Sequence, residues 1–142
     1  MSLNDIVPGK RVGKFELGMP SSQLLQSLSD YRKEQRISCF VVWTEHIGFW
    51  IDESSLTVTQ ILVRGNYPGK VLGKVGIGDT LADVEKSFGK VIYEPYTWEI
   101  QGFPGVAFEL SQNDIYEDWD ERDIPIETIC VFSSLTSTKL SQ

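Results

Sequence analysis

The sequence predicts an α+β domain built from two copies of one strand–helix–three-strand unit, with two short helices packed on antiparallel sheet. Three observations predict it. Residues 8–30 match residues 68–90 without gaps at an offset of 60. The runs between them are dominated by Val, Ile, Phe, Trp and Thr, the residues that fit a pleated, half-buried surface. Each copy also holds one amphipathic stretch of two to three turns, too short to stand as a helix unless it packs on something. At 142 residues the chain is read as a single domain, 1–142, whose repeats cover approximately 8–67 and 68–133.

The match is densest at its start, where Pro8, Gly9, Lys10, Gly13 and Lys14 recur as Pro68, Gly69, Lys70, Gly73 and Lys74, followed by Gly18/Gly78 and Ser27/Ser87. The segments Val12–Leu17 and Leu72–Ile77 lie between glycines and read as brief strands. Each leads into a helix. In the second copy Thr80 to Asp83 has capping-box spacing, Leu81, Val84 and Phe88 form an apolar face, and Gly89 reads as a left-handed stop. The first copy has Pro20 near its start, with Leu24, Leu25 and Leu28 on its face.

Three strands per copy are expected after the helix: Ile37–Trp43, Ile47–Asp52 and Leu56–Arg64 in the first, Val91–Ile100, Gly105–Leu110 and Ile124–Phe132 in the second. Pro125 places itself at the start or edge of its strand. Residues 47–52 resemble 104–109 and 56–63 resemble 124–131, so the second copy carries about 11 extra residues within Ser111 to Asp123. Tyr67-Pro68 is a joint between copies and not a flexible linker.

A hydrophobic content of 41% with 23% charged residues fits a globular chain and not a disordered one. The net charge of −7 has the wrong sign for a protein that lives on nucleic-acid phosphates or anionic membrane. Met1 to Pro8 has no basic region followed by an apolar run, and no apolar stretch is long enough to span a bilayer; a cytoplasmic protein is expected. In that compartment Cys39 and Cys130 are expected as free, buried thiols.

Catalytic and cofactor motifs fail on inspection. Gly69 to Val75 is one residue short of a phosphate-binding loop and has Val75 where a Mg²⁺-binding Ser or Thr is needed. Gly73, Gly76 and Gly78 have the dinucleotide fingerprint's glycines in the wrong order. The lone histidine, His46, reads as a solvated hairpin-turn residue, and the two cysteines lack zinc-ligand spacing. No enzyme activity, cofactor or metal is expected.

Charge is segregated along the chain. Residues 1–70 hold eight bases and seven acids, whereas residues 71–142 hold five bases and 13 acids. Glu109 to Glu127 alone contains eight acids against Arg122, inside the segment that carries the insertion. Tyr116 and Trp119 sit among them. Acids beside large aromatics are the ingredients of a binding hot spot aimed at a basic protein surface, and the candidate partner-binding residues are Asp114, Tyr116, Glu117, Asp118, Trp119, Asp120, Glu121 and Asp123. A second reading places a small ligand in an aromatic-lined groove between the copies, walled by Trp43, Trp50, Tyr96 and Trp98.

The segment Lys14 to Leu25, with Leu17-Gly18-Met19 at its centre, resembles the strand, Leu-Gly-Met, short-helix signature of several small α+β families. Among these is the small-lipoprotein fold of the outer-membrane β-barrel assembly machine, whose signal peptide and lipid-bearing cysteine have no counterpart in Met1 to Pro8. The second copy departs from the signature with Ile77-Gly78-Asp79-Thr80. In size, acidity and aromatic content the chain is similar to immunity proteins of bacterial toxin systems, including contact-dependent growth inhibition. That similarity implies a cognate toxin, in many cases a nuclease with a basic substrate cleft, as the partner, and no contact with nucleic acid or membrane.

Overall fold

A computed structural model describes residues 3–133. It is a mixed α+β structure, mostly sheet. The chain begins with three two-residue strands, β1 (Ile6–Val7), β2 (Arg11–Val12) and β3 (Phe15–Glu16), and then helix α1 (Ser21–Ser27). Four strands follow: β4 (Arg32–Arg36), β5 (Cys39–Trp43), β6 (Ile47–Asp52) and β7 (Val58–Arg64). The second half opens on β8 (Lys70–Val71) and β9 (Val75–Gly76), passes through α2 (Leu81–Phe88), and ends in β10 (Val91–Glu94), β11 (Thr97–Ile100), β12 (Phe103–Leu110) and β13 (Ile126–Phe132).

The expected unit is therefore too simple. Four strands follow each helix, not three, and the leading segments are strand pairs. Val91–Ile100 is a tight hairpin turning at Pro95 and Tyr96, which holds φ at +73°. In the first half β4 was missed, because Arg32-Lys33-Glu34-Gln35-Arg36 has no apolar alternation; it is an edge strand, paired on one side only, where charge discourages pairing with another chain.

Eight strands form one antiparallel sheet in the order β10-β11-β12-β13-β7-β6-β5-β4, so the last strand of each half meets the other at the centre, from Arg64 against Thr128 to Gln60 against Phe132. The remaining five form a small sheet, β3-β2-β1-β8-β9, in which β1 pairs in parallel with β8 through Ile6 and Val71. This parallel pairing departs from the expected antiparallel pattern, and it ties the start of the chain to both halves.

One face of the large sheet carries the core. Val42, Phe49, Ile61, Val131 and Val106 form a continuous row across five strands, and Leu24, Leu81, Val84, Ile6, Val12, Val71 and Val75 from the helices and small sheet pack with them. A buried Ile, Val, Leu or Phe contributes about 1.5–3 kcal/mol relative to its exposed state, so this row explains why two such short helices hold. The Thr80–Asp83 capping box forms as expected, whereas Gly89, at φ +119° and ψ −171°, lies outside the left-handed helical region. At Gly105 a Cβ would sit 2.5 Å from the Gly9 nitrogen, which here donates to the Gly105 carbonyl at 3.0 Å; only glycine lets β12 approach so closely.

The Leu17-Gly18-Met19 segment has a structural role. The Gly18 N–H donates to the Val58 carbonyl at 2.7 Å and Val58 returns a bond to the Met19 carbonyl, which stitches the entry of α1 to the start of β7. Tyr67, at the joint between halves, is buried with its hydroxyl donating to the Asn4 carbonyl at 2.7 Å, and burial pushes its phenol up to about 12.

Candidate functional site

The connection between β12 and β13 is the acidic segment. It folds into two single-turn 3₁₀ helices, Asp114–Tyr116 and Glu121–Asp123. Each is started by a side-chain cap of the kind Asn and Asp make readily: Asn113 Oδ1 accepts from the Ile115 N–H at 3.1 Å, and Asp120 Oδ1 from the Arg122 N–H at 2.8 Å. Between them the Trp119 N–H donates to the Tyr116 carbonyl at 3.0 Å. That bond brings the two rings together edge to face, 4.8 Å apart at 83°.

These aromatics are presented outward. Trp119 is 51% exposed and Ile115 67%, with Tyr116 half-buried beneath Trp119. Asp114, Glu117, Asp118, Asp120, Glu121 and Asp123 are all exposed, and no ion pair joins any of them to a base among the described residues. The eight residues predicted from sequence thus lie on one loop, where exposed carboxylates alternate along the chain with Ile115, Tyr116 and Trp119. At the flank, Glu109 accepts from the Thr128 hydroxyl at 2.7 Å.

The loop is tethered on the helix side of the sheet. Arg122 Nε donates to Glu85 Oε1 on α2 at 2.9 Å, while Glu85 Oε2 accepts from the Val91 N–H of edge strand β10 at 3.1 Å. The Arg122 hydrogen bond, followed by the Val91 N–H, holds the Glu85 carboxyl below its ordinary value; Glu85 in turn raises the Arg122 guanidinium. Arg122 therefore acts as the anchor of the segment.

A second cluster occupies the opposite face of the sheet and was not foreseen. Trp43 and Trp50 meet edge to face at 5.5 Å, the Arg64 guanidinium stacks 4.1 Å from the Trp43 ring and Arg36 lies over Trp50. Glu34 ties the group together by accepting from Trp43 Nε1 and from Arg36, each at 2.9 Å, and these two bonds hold its carboxyl below the ordinary range. Gly48 makes room for it: a Cβ there would lie 2.5 Å from the Trp43 ring. No local sequence signal marks it: Arg32, Glu34 and Arg36 share one face of β4, but Lys33 charges the other, so the segment reads as a loop.

The expected ligand groove does not form. Trp98, on β11, belongs to the core-facing row that runs through Phe108, Ile129 and Val63, whereas Trp43 and Trp50 point to the other face, with β12, β13 and β7 intervening. Tyr96 stands 81% exposed at its hairpin tip. His46 is half-buried rather than solvated, its Nε2 3.7 Å from Glu45 and its Nδ1 buried without a hydrogen-bond partner. Cys39 and Cys130 are half-buried thiols, not sealed in the core as expected. Among the described residues no His, Cys, Asp and Glu side chains group to hold a metal ion, and no helix is long and apolar enough to cross a membrane.

The chain matches no known family model, and no curated protein matches it. Among solved structures it is similar to the crystal structure of the uncharacterized protein yfeY from Escherichia coli, with a TM-score of 0.59 at 15% identity over 90% of this chain and 99% of that one. The likeness is one of fold.

Proposed function

We propose that this chain is a cytoplasmic immunity protein that binds and neutralises a cognate toxin domain with a basic surface, most simply a nuclease. It is read as a binding protein and not as an enzyme. The observation that carries the proposal is the exposure of Trp119 and Ile115 on a loop whose exposed carboxylates form no ion pair with a base among the described residues. Crowding like charges opposes folding, and an exposed tryptophan forgoes burial, so both features are explained by a partner that satisfies them. Acidic side chains of the loop stand in for nucleic-acid phosphates, which speeds encounter, and Trp119 with Tyr116 beneath it slows release.

The test is association with a basic, toxin-like protein sought among the products of neighbouring genes. Replacing Asp118, Asp120, Glu121 and Asp123 with their amides should slow association and flatten its salt dependence; an unchanged rate and salt slope would remove the loop from the mechanism.

We also infer that the two halves descend from one duplicated unit. The gapless match of 8–30 with 68–90 supports this, as does the shared order of strand pair, helix and four-strand meander, with the meanders meeting at β7 and β13.

A further inference from the structure

A hollow of about 410 Å³ opens where β4 begins and β5 and β7 end, on the face of the large sheet opposite the core. Its lining sets Arg32 and Arg64 against Asp30 and Glu45, with Tyr31 and Trp43 as aromatic walls. The charges cancel. The hollow belongs to the first half of the chain alone, so it is not a groove between the halves, and Trp50, Tyr96 and Trp98 take no part in it.

Opposite charges around one hollow gain by closing on each other, yet among the described residues no ion pair joins either acid to either arginine. Each is held elsewhere. The Arg64 guanidinium is stacked 4.1 Å from the Trp43 ring, and Arg32 is drawn along its own strand toward Glu34 at 3.7 Å. Glu45 leans toward His46, 3.7 Å from Nε2, on a turn that Thr44 closes by accepting the Ile47 N–H at 3.1 Å. Asp30 stands just before β4 and Glu45 just after β5, beyond the paired residues Arg32 and Trp43, so the acids lie toward the end of the sheet and the arginines over it.

Held apart in this way, the four groups reject a ligand of one sign. An anion entering the hollow meets Asp30 and Glu45, and a cation meets the two arginines. A molecule that carries both charges satisfies all four: guanidinium forks take a carboxylate, the acids take an ammonium, and the aromatic walls cover an apolar body. Such a molecule has no net charge, so the −7 of the chain does not repel it. We propose that this hollow binds a small zwitterion of the free amino acid type. Its carboxylate lies on Arg32 and Arg64, its ammonium faces Asp30 and Glu45, and its side chain rests against Tyr31 and Trp43. The volume is in the range of small-molecule sites. The inference does not rest on the toxin-binding reading, which concerns the loop between β12 and β13.

Titration of the isotope-labelled full chain with L-phenylalanine tests it, followed by nuclear magnetic resonance at the Trp43 indole N–H and at the backbone N–H groups of Tyr31, Thr44 and Arg64. These signals should shift together and saturate, with a dissociation constant on the order of 1 mM. Phenylpropionate, which lacks the ammonium, and phenylethylamine, which lacks the carboxylate, should each bind at least about fivefold more weakly. Arg32→Gln, at a side chain that is 65% exposed, and Asp30→Asn, in the exposed link before β4, should each weaken L-phenylalanine about threefold, with unchanged circular dichroism. Absence of any shift up to about 50 mM L-phenylalanine, equal binding of either singly charged analogue, or folded variants that bind as the wild type does overturns the proposal. None of these results depends on a toxin.

Discussion

Glu85 accepts hydrogen bonds from two groups far apart in sequence, the Arg122 guanidinium of the acidic loop at 2.9 Å and the Val91 N–H of the outermost strand at 3.1 Å. One carboxylate on α2 thereby orients the loop and covers a strand-edge donor. Replacing Glu85 by Gln should speed amide exchange across residues 111–125 and at Val91 while leaving the β7 and β13 amides protected. Because the Glu85 carboxyl is held below its ordinary value of 4.5, this tether is intact at neutral pH and above, and is lost as pH falls from about 4.5 through the lowered value. Loop exchange in the wild type should approach that of the variant in acid.

Trp119 offers a separation of binding from stability. Half of the residue is exposed and its ring meets the Tyr116 ring edge to face, so Trp119→Ala should change folding stability by roughly 0.5 kcal/mol. Its loss from the complex should cost about 2 kcal/mol or more, near thirtyfold in affinity, carried mainly by faster dissociation. Chemical denaturation and surface-bound kinetics read the two effects independently.

Gly48→Ala should destabilise the fold by about 1–3 kcal/mol, because the new methyl drives into the Trp43 indole and either the ring or the β6 backbone must yield. Displacing the indole also separates it from Arg64 and Glu34. Tryptophan fluorescence should shift along with the denaturation midpoint.

At Tyr67, removal of the hydroxyl in Tyr67→Phe should cost about 1 kcal/mol, the usual net worth of a buried hydrogen bond, since the Asn4 carbonyl loses its donor. The phenol is raised from 10 to about 12, so the stability this residue contributes is complete below pH 10 and lost as pH rises through 12. Spectrophotometric titration should show one tyrosine that ionises with unfolding, and the Phe variant should be less sensitive to alkali.

How much of this was legible depended on how burial is written into side chains. Strands β5, β6, β7 and β13 announce themselves through runs such as Cys39-Phe40-Val41-Val42 and Ile129-Cys130-Val131-Phe132, and α2 through its capping box. Strand β4 was invisible because an edge strand facing water uses the vocabulary of a loop. Likewise β1, two residues long, is specified by its neighbours β2 and β8 and not by itself. The position of the acidic loop could be read from its length excess and charge, and its candidate residues fall together. The Trp43 cluster could not, because stacking of Arg64 on Trp43 depends on strand order and on the space above Gly48, neither of which is local in the chain.

The order of strands in the large sheet bears on how the protein is made. Strand β7 ends as the central ladder's partner for β13, yet more than sixty residues separate Arg64 from Ile126, so during synthesis it leaves the ribosome as an open border with Ile61 and Val63 uncovered. In the same interval β1 awaits β8. The β4–β7 meander can pair within itself, but the open border of β7 stays exposed until β13 arrives, which makes the nascent chain, more than the finished molecule, the form prone to sticking to its neighbours.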